Sequence, residues 1–185
     1  MSAAEISESA FKQVPIFKNM NDTERRQLLA IAKVQEFSQG EVILRQGKSS
    51  QNMWVLIEGE CEVIKEPETS HTGEQPVRLA LLEPHNNFGE MSFFHPAPHS
   101  ATVRALTNVR VLRIEREDFE ELVQEGCSAA YRLGCNALDT LAERLRRMDE
   151  WVTTLLRDGR PSDEAEEQVP EWSKFRDKVF TGWNL

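Results

Sequence analysis

A glycine, an acid and a short apolar run stand together at residues 88–94, Phe-Gly-Glu-Met-Ser-Phe-Phe. Gly89 lets the backbone approach a ligand closely because it has no Cβ. The residues from Glu90 to Phe94 predict a single helical turn, whose first N–H groups have no partner within the helix. Phosphate groups bind at helix N-termini of this kind. The segment therefore favours the binding of an anion.

Glu90 is the one acid between Phe88 and Val103, and a carboxylate repels a phosphate unless it faces another part of the ligand. A sugar hydroxyl is such a part, because it donates its proton to the carboxylate. Pro96 and Pro98 end the helical turn. The residues from Ser100 to Val103 then begin an alternating strand with further hydroxyl and N–H donors. A phosphate beside a sugar hydroxyl indicates a nucleotide.

Other segments accompany this one in a fixed order. They are VPIF at Val14 to Phe17, NDTERRQLLAIA from Asn21, FSQGEVILRQG at Phe37 to Gly47, MWVLIEGECEVI from Met53 and VRALTNVRVLRIEREDFEEL at Val103 to Leu122. Together they resemble the cyclic nucleotide-binding domain, the module of Crp/Fnr regulators, protein kinase A regulatory subunits and cyclic-nucleotide-gated channels. The resemblance covers roughly residues 11–156. It implies an antiparallel β-roll or jelly roll with flanking helices, mainly β in class (α+β), and cAMP or a related cyclic nucleotide as the ligand.

The resemblance also implies where the ligand binds. Residues 89–92 match the ribose and phosphate half of the family's phosphate-binding cassette, and Ser100 and Ala101 match its phosphate half. The family usually has an arginine after the cassette proline, but this chain has His99, which is mostly neutral at pH 7. We expect a lower affinity for phosphate that improves at lower pH. The predicted ligand-binding residues are Phe88, Gly89, Glu90, Met91, Ser92, His99, Ser100, Ala101 and Thr102.

Three of the four histidines, His85, His95 and His99, lie close together in the sequence. A zinc site requires their side chains to converge, but the intervening prolines keep His95 and His99 from sharing a helix face. A catalytic pair of Glu90 and His99 lacks an accompanying metal cluster or nucleophile. We therefore expect no enzymatic activity, no cofactor and no metal, and we interpret Glu90 as a binding group.

From Phe37 the apolar pattern has a period of two, which predicts short strands. The alternating residues are Val42 and Leu44, Trp54 and Leu56, Cys61 and Val63, and Val77, Leu79 and Leu81. Strands at this spacing predict an antiparallel sandwich or roll. The polar stretch from Glu66 to Gln75, with His71, predicts a loose hairpin loop. Before the strands, Asn-Asp-Thr-Glu from Asn21 predicts a capped amphipathic helix packed on the roll.

A heptad pattern begins after Cys127 and predicts a long helix over residues 126–158. Its length exceeds that of a small roll, which favours a two-stranded coiled coil between subunits, and packing on the chain's own domain is the alternative. In Crp-like proteins the corresponding helix dimerises and closes over the base. Met148 and Asp149 take the place of hydroxyl residues there, so base selectivity is not carried over. The predicted dimer interface is Leu138, Leu141, Leu145, Met148 and Val152.

The predicted roll spans residues 1–125, and an acidic linker and amphipathic tail follow the helix at residues 159–185. This tail is too short for a winged helix-turn-helix, which needs about sixty residues. Its end places Trp172, Phe175, Val179 and Trp183 on one side of a short helix. The tail is interpreted either as a strap on the domain's own surface or as a docking peptide for a partner.

Charge and cysteine content exclude several classes of protein. The net charge of −9 opposes nonspecific attraction to nucleic acid or anionic lipid. Cys61, Cys127 and Cys135 form no C-x-x-C pair, which fits reduced thiols better than a disulfide framework. The N-terminus has acids where a signal peptide has basic residues, and no stretch approaches about 18 apolar residues. We expect a cytoplasmic protein without membrane or DNA contacts.

These features predict a stand-alone sensor or regulatory subunit that binds a cyclic nucleotide. In this hypothesis it forms a homodimer through the long helix and transmits binding to an unidentified protein partner. The alternative is a degenerate roll that binds no nucleotide and serves as a dimeric interaction scaffold. A third interpretation, a DNA-binding regulator, requires a further C-terminal domain.

Overall fold

The computed structural model describes residues 14–67 and 75–158, and of residues 151, 152 and 155–158 it describes the backbone only. The side chain of Val152 in the predicted dimer interface is therefore not described. His71 in the predicted loop lies outside the described residues, and so does the tail with Trp172, Phe175, Val179 and Trp183.

Eight strands are found within the described residues. In chain order they are β1 (Ala32–Phe37), β2 (Val42–Leu44), β3 (Asn52–Glu58), β4 (Cys61–Lys65), β5 (Val77–Leu82), β6 (Asn87–Phe88), β7 (Thr102–Ala105) and β8 (Val109–Glu115). They form two four-stranded sheets with the spatial orders β1-β8-β3-β6 and β2-β7-β4-β5. Every pairing in them is antiparallel. The predicted mainly β class with an antiparallel roll is confirmed.

Helices flank the sheets at several points of the chain. They are a 3₁₀ turn (Pro15–Phe17), α1 (Asp22–Ile31), α2 (Glu90–Phe94), α3 (Arg116–Gln124) and α4 (Ser128–Asp158). The predicted capping box is present at α1, where Asn21 Oδ1 accepts from Glu24 N–H at 2.9 Å and Glu24 Oε2 accepts from Asn21 N–H at 2.9 Å. This reciprocal cap fixes the start of α1.

Strand β3 lies at the centre of the packing because both of its faces are covered. Met53 and Val55 pack into a cluster with the helices, whereas Trp54 and Leu56 pack into a second cluster between the sheets. A strand buried on both faces has a continuous apolar run rather than an alternating one. The first cluster also takes in the opening of α4 through residues such as Ala129, Leu133 and Ala137.

Strand β5 departs from the sequence-based expectation. Val77, Leu79 and Leu81 were expected to alternate as in a half-buried strand, but they are 60%, 58% and 45% exposed. β5 is an edge strand, and its pairing with β4 skips Leu79, which breaks the alternation. Of this strand, Leu82 alone is buried.

The chain divides into two compact units, and the division falls between Thr140 and Leu141. This point lies inside α4, beyond the boundary at residues 125/126 that the sequence pattern indicated. The first turns of α4 belong to the first unit because their apolar side chains are part of its core.

Candidate functional site

Gly89 connects β6 to α2 in a left-handed conformation with φ +83°. A Cβ at this position would lie 2.6 Å from the carbonyl oxygen of Asn52 and 3.1 Å from Cδ1 of Trp54. Both the backbone angle and the close approach to β3 require glycine here. The preceding Phe88 is buried and stacks on Trp54 with ring centroids 6.3 Å apart.

Helix α2 is positioned by its aromatic residues. Phe93 is fully buried and meets Phe94 and Phe119 edge to face, with centroids 5.0 and 5.2 Å away. The first backbone bond of the helix runs from Phe93 N–H to the Gly89 carbonyl at 3.0 Å. The backbone N–H groups of residues 90–92 therefore have no carbonyl acceptor within the helix.

Two polar side chains of α2 are buried. Glu90 is 1% exposed, and Asn87 Nδ2 lies 3.4 Å from its Oε2, which is long for a hydrogen bond. Ser92 is 4% exposed and donates to the Gly89 carbonyl at 3.2 Å. Met91 lies between them and is 60% exposed.

His99 is buried between two serine hydroxyls. Its Nδ1 lies 3.0 Å from Ser92 Oγ and its Nε2 lies 2.9 Å from Ser50 Oγ. Because Ser92 donates its proton to the Gly89 carbonyl, Nδ1–H donates to Ser92 and Nε2 accepts from Ser50. A neutral imidazole satisfies this network. Burial lowers the pKa of His99 below its ordinary value, so the side chain carries no charge at pH 7.

The backbone of His99 is held by the turn between β2 and β3. Its N–H donates to the Lys48 carbonyl at 2.8 Å, and its carbonyl accepts from Gly47 N–H at 2.9 Å. Strand β7 begins after these bonds, at Thr102 rather than at Ser100 as the sequence pattern indicated. The cassette therefore returns to the sheet along this turn.

The remaining predicted residues have different surroundings. Ser100 is exposed and its carbonyl accepts from Lys65 Nζ at 2.9 Å, while Ala101 is half-buried. Thr102 is buried, accepts from Gln46 N–H at 3.1 Å and donates to Glu66 Oε1 at 2.7 Å. Its hydroxyl is thus engaged with β2 and β4 neighbours. Of the predicted residues, Ser92 contacts both Gly89 and His99.

Several neighbours of the site were missed in the sequence. Ser50, Lys65, Gln46 and Glu66 contact predicted residues that lie 35 to 56 positions away along the chain. The turn signal of Gly47 marks a loop before β3, but no local pattern places that loop against the cassette.

The other clustered histidines do not join His99. His85 lies in a turn with φ +77°, and His95 is exposed at the end of α2. In the part of the chain that the structure describes, no group of three or more His, Cys, Asp or Glu residues is placed to hold a metal ion. No described helix has the length and apolarity that crossing a bilayer requires.

The predicted dimer seam is exposed on α4 as far as its side chains are described. Leu138 is 67%, Leu145 42% and Met148 52% exposed, and Leu141 is half-buried. Exposed apolar side chains in a row on one helix are typical of a surface that binds a partner.

Comparisons with known proteins agree with this geometry. The model of the family described as "Cyclic nucleotide-binding domain" matches residues 34–126. A cyclic AMP receptor protein of Thermus thermophilus is 30% identical over 138 residues, which cover 75% of this chain and 60% of that protein. A cAMP-dependent protein kinase regulatory subunit of Mycosarcoma maydis is 29% identical over 121 residues, which cover 63% of this chain and 22% of that protein. The chain thus spans less than two thirds of these curated relatives.

Solved structures give the same fold. The crystal structure of the Thermus thermophilus catabolite activator protein matches with a TM-score of 0.66 and 28% sequence identity. The match covers 76% of this chain and 62% of that one.

Proposed function

Because this chain belongs to the cyclic nucleotide-binding domain family, we propose that it is a non-enzymatic sensor or regulatory module whose cassette, residues 88–102, binds a cyclic nucleotide. The observation that carries the proposal is the buried polar group of Glu90, Ser92 and His99 beside Gly89. A few polar side chains fixed in position within otherwise apolar surroundings are typical of a ligand-binding site. Relatives named for cAMP make it the first ligand to test.

Each polar group has a role in this proposal. The Glu90 carboxylate accepts from a ribose hydroxyl. The N–H groups at the start of α2 bind the cyclic phosphate, and the Ser92 hydroxyl turns from the Gly89 carbonyl to donate to it while accepting from His99 Nδ1–H. Because His99 is neutral in the free protein, the phosphate loses the charge-assisted bond that an arginine gives. That bond stabilises a complex by about 1.5–3 kcal/mol, so the affinity is lower by roughly a factor of ten to a hundred.

The affinity should depend on pH. A phosphate near His99 favours the imidazolium, and both Ser50 and Ser92 can accept from its two N–H groups. The pKa of His99 is lowered by burial in the free protein and rises when the anion binds. Binding then takes up a proton, and the affinity increases as pH falls from the bound-state pKa toward the lower pKa of the free protein.

Calorimetric titration of the full chain with cAMP, cGMP and 5′-AMP at about pH 6 and pH 8 tests the proposal. We expect cyclic nucleotide binding that is tighter at the lower pH. His99→Arg should bind more tightly and lose the pH dependence, whereas His95→Arg, a change at an exposed histidine nearby, should behave as the wild type. An affinity unchanged between the two pH values contradicts the role of His99. Absence of binding in both the wild type and His99→Arg contradicts the proposed function.

The neutral, buried state of His99 favours one further candidate. Because residues 88–102 contain no cationic side chain, the chain is also compatible with a second function. In that case the roll has lost nucleotide binding and acts as a dimeric interaction scaffold. In that case His99→Arg alone binds cAMP. The same titration therefore distinguishes the two candidates.

The proposal includes a route from ligand to partner. The apolar row of Leu138, Leu145 and Met148 pairs with a second copy of α4, and a protein partner binds the dimer. The ligand shifts this assembly only by its differential affinity for two packings of α4. The exposure of these side chains supports this part of the proposal.

A further inference from the structure

Above the pKa of His99 in the complex, the proposed cyclic phosphate needs a positive charge that His99 does not supply. Two cationic side chains near the cassette, Arg104 and Lys65, differ in the groups that they contact. Arg104 on β7 is bound by Glu62, which accepts from its Nε at 2.9 Å and its Nη2 at 2.6 Å. Lys65 instead donates to a neutral group, the Ser100 carbonyl, at 2.9 Å. Its ammonium is thus held against the residue that follows His99.

Lys65 is the last residue of β4 and lies on the same face of the strand as two residues of the core. Cys61 and Val63 pack in the cluster between the sheets, and Lys65 continues the same face because strand side chains alternate. The pairing of β4 with β7 is regular up to Ile64 and Thr102. Lys65 therefore lies at the end of the interior face, where the cassette enters β7, and its side chain is exposed there.

No carboxylate neutralises this ammonium in the described parts of the chain. The ion pairs found there do not include Lys65. The adjacent Glu66 carboxylate accepts from the Thr102 hydroxyl at 2.7 Å. A bond to a carbonyl is readily exchanged for one to an anionic oxygen, because the charge-assisted bond is the stronger.

Resting on the proposed function, we infer that Lys65 binds an exocyclic oxygen of the cyclic phosphate and supplies the positive charge that the cassette lacks. On ligand binding the ammonium moves from the Ser100 carbonyl to the phosphate. Lys65 is a lysine brought in from another strand, so it acts as a point charge and not as the bidentate donor that an arginine provides.

Titration of the full chain with cAMP at low and at moderate salt tests this inference. Lys65→Gln should weaken binding by about tenfold and reduce its salt dependence, because one screened charge pair is removed. Lys18→Gln is the matched control, since Lys18 is also an exposed lysine. It lies away from the cassette, beside α4, where its backbone carbonyl accepts from Asn136. The Lys18→Gln variant should bind as the wild type does.

A second comparison removes the ambiguity of a folding defect. In the His99→Arg background the arginine supplies the charge, so Lys65→Gln should cost less there than in the wild type. Equal losses in the two backgrounds, or wild-type affinity in Lys65→Gln, overturn the inference and leave the proposed function standing. Failure of the wild type and of His99→Arg to bind overturns both.

Discussion

His99 shows how the surroundings of one residue set its chemistry. Its ring is held by hydroxyls from two separate segments, Ser50 before β3 and Ser92 in α2. Burial removes water that would otherwise stabilise the imidazolium, which is why its pKa is lowered. A side chain that titrates near neutral pH in water is thereby kept neutral. In the proposed complex, the phosphate is then recognised by hydroxyl and N–H donors together with a charge from another segment of the chain.

Gly89→Ala should lower the free energy of unfolding by more than the cost of a left-handed backbone alone. The left-handed backbone costs a residue with a side chain about 1–2 kcal/mol. A Cβ would also lie 2.6 Å from the Asn52 carbonyl, so the strand or the helix must shift. Chemical denaturation of both proteins measures the difference in free energy of unfolding.

Gly40→Ala is the control for this experiment. Gly40 has φ +87°, close to the angle of Gly89, but a Cβ there meets nothing within 4 Å. We expect the free energy of unfolding of Gly40→Ala to fall only by about the cost of the left-handed backbone. Equal destabilisation by the two substitutions would show that the close approach at Gly89 contributes nothing.

For individual residues, the sequence could predict features that depend only on neighbours in the chain. The turn at Gly89 and the helical turn that begins at Glu90 could be predicted from their residue types. Ser50 could not, because its contact with His99 joins residues 49 positions apart. Lys65 lies 35 positions from Ser100. Such pairs depend on the register of strands, which no short motif contains.

Among the elements, α1 and α4 are joined by a buried carboxylate. Glu24 is 4% exposed, and its Oε1 accepts from Ser128 Oγ and from Arg132 Nε, both at 2.9 Å. The bond from Asn21 N–H, and then those from Ser128 and Arg132, outweigh burial and hold the pKa of Glu24 below its ordinary value. This carboxylate therefore stabilises the packing of two helices as well as the cap.

Glu24→Gln should lower the free energy of unfolding by about 1–3 kcal/mol at pH 7, because charged acceptor bonds are lost. The folded-state pKa lies below the unfolded one. The advantage of the wild type is thus complete above the unfolded pKa and disappears as pH falls through the folded pKa. Denaturation of both proteins from pH 7 to about pH 3 measures it.

Glu143→Gln is the matched control, since Glu143 pairs with Arg146 and Arg147 on the surface of α4. Exposed pairs contribute little to stability, so we expect a change of less than about 1 kcal/mol. If Glu24→Gln behaved like this control, the buried carboxylate would not stabilise the helix packing.

Strands were predictable to different degrees. In β3 the pattern predicted that Trp54 and Leu56 alternate with polar partners, but Met53 and Val55 are buried as well, so both faces of the strand are covered. The alternation in β5 predicted a buried face, but Val77, Leu79 and Leu81 are exposed in this edge strand. Sheet order is a property of long-range pairing, so periodicity alone does not separate edge from centre.

At the scale of the whole molecule, the resemblance of successive segments was enough to predict the roll. The resemblance did not determine whether two copies of the chain form a dimer. The apolar row on α4 is exposed in the single chain, and dimerisation remains a prediction that solution measurements must test.

Leu138→Glu and Leu145→Glu should convert a dimer into a single chain. Each substitution places a charge in the seam, where pairing with a second copy would bury it unpaired. Light scattering after size-exclusion chromatography measures the mass directly. Val123→Glu, at an exposed apolar residue of α3 that is 52% exposed, should leave the mass unchanged. A wild type with the mass of one chain at high concentration contradicts the predicted interface.

The contacts of α4 with the beginning of the chain also govern how the protein folds as it is synthesised. Glu24 meets residues 104 and 108 positions further on, and the Ile16 carbonyl accepts from Asn136, 120 positions away. At about 5–20 residues per second, a ribosome takes roughly 5–25 s to reach them. During that interval Ile16, Phe17 and Leu28 lack their covering helix. The nascent chain therefore presents an apolar surface that chaperones can bind until α4 emerges.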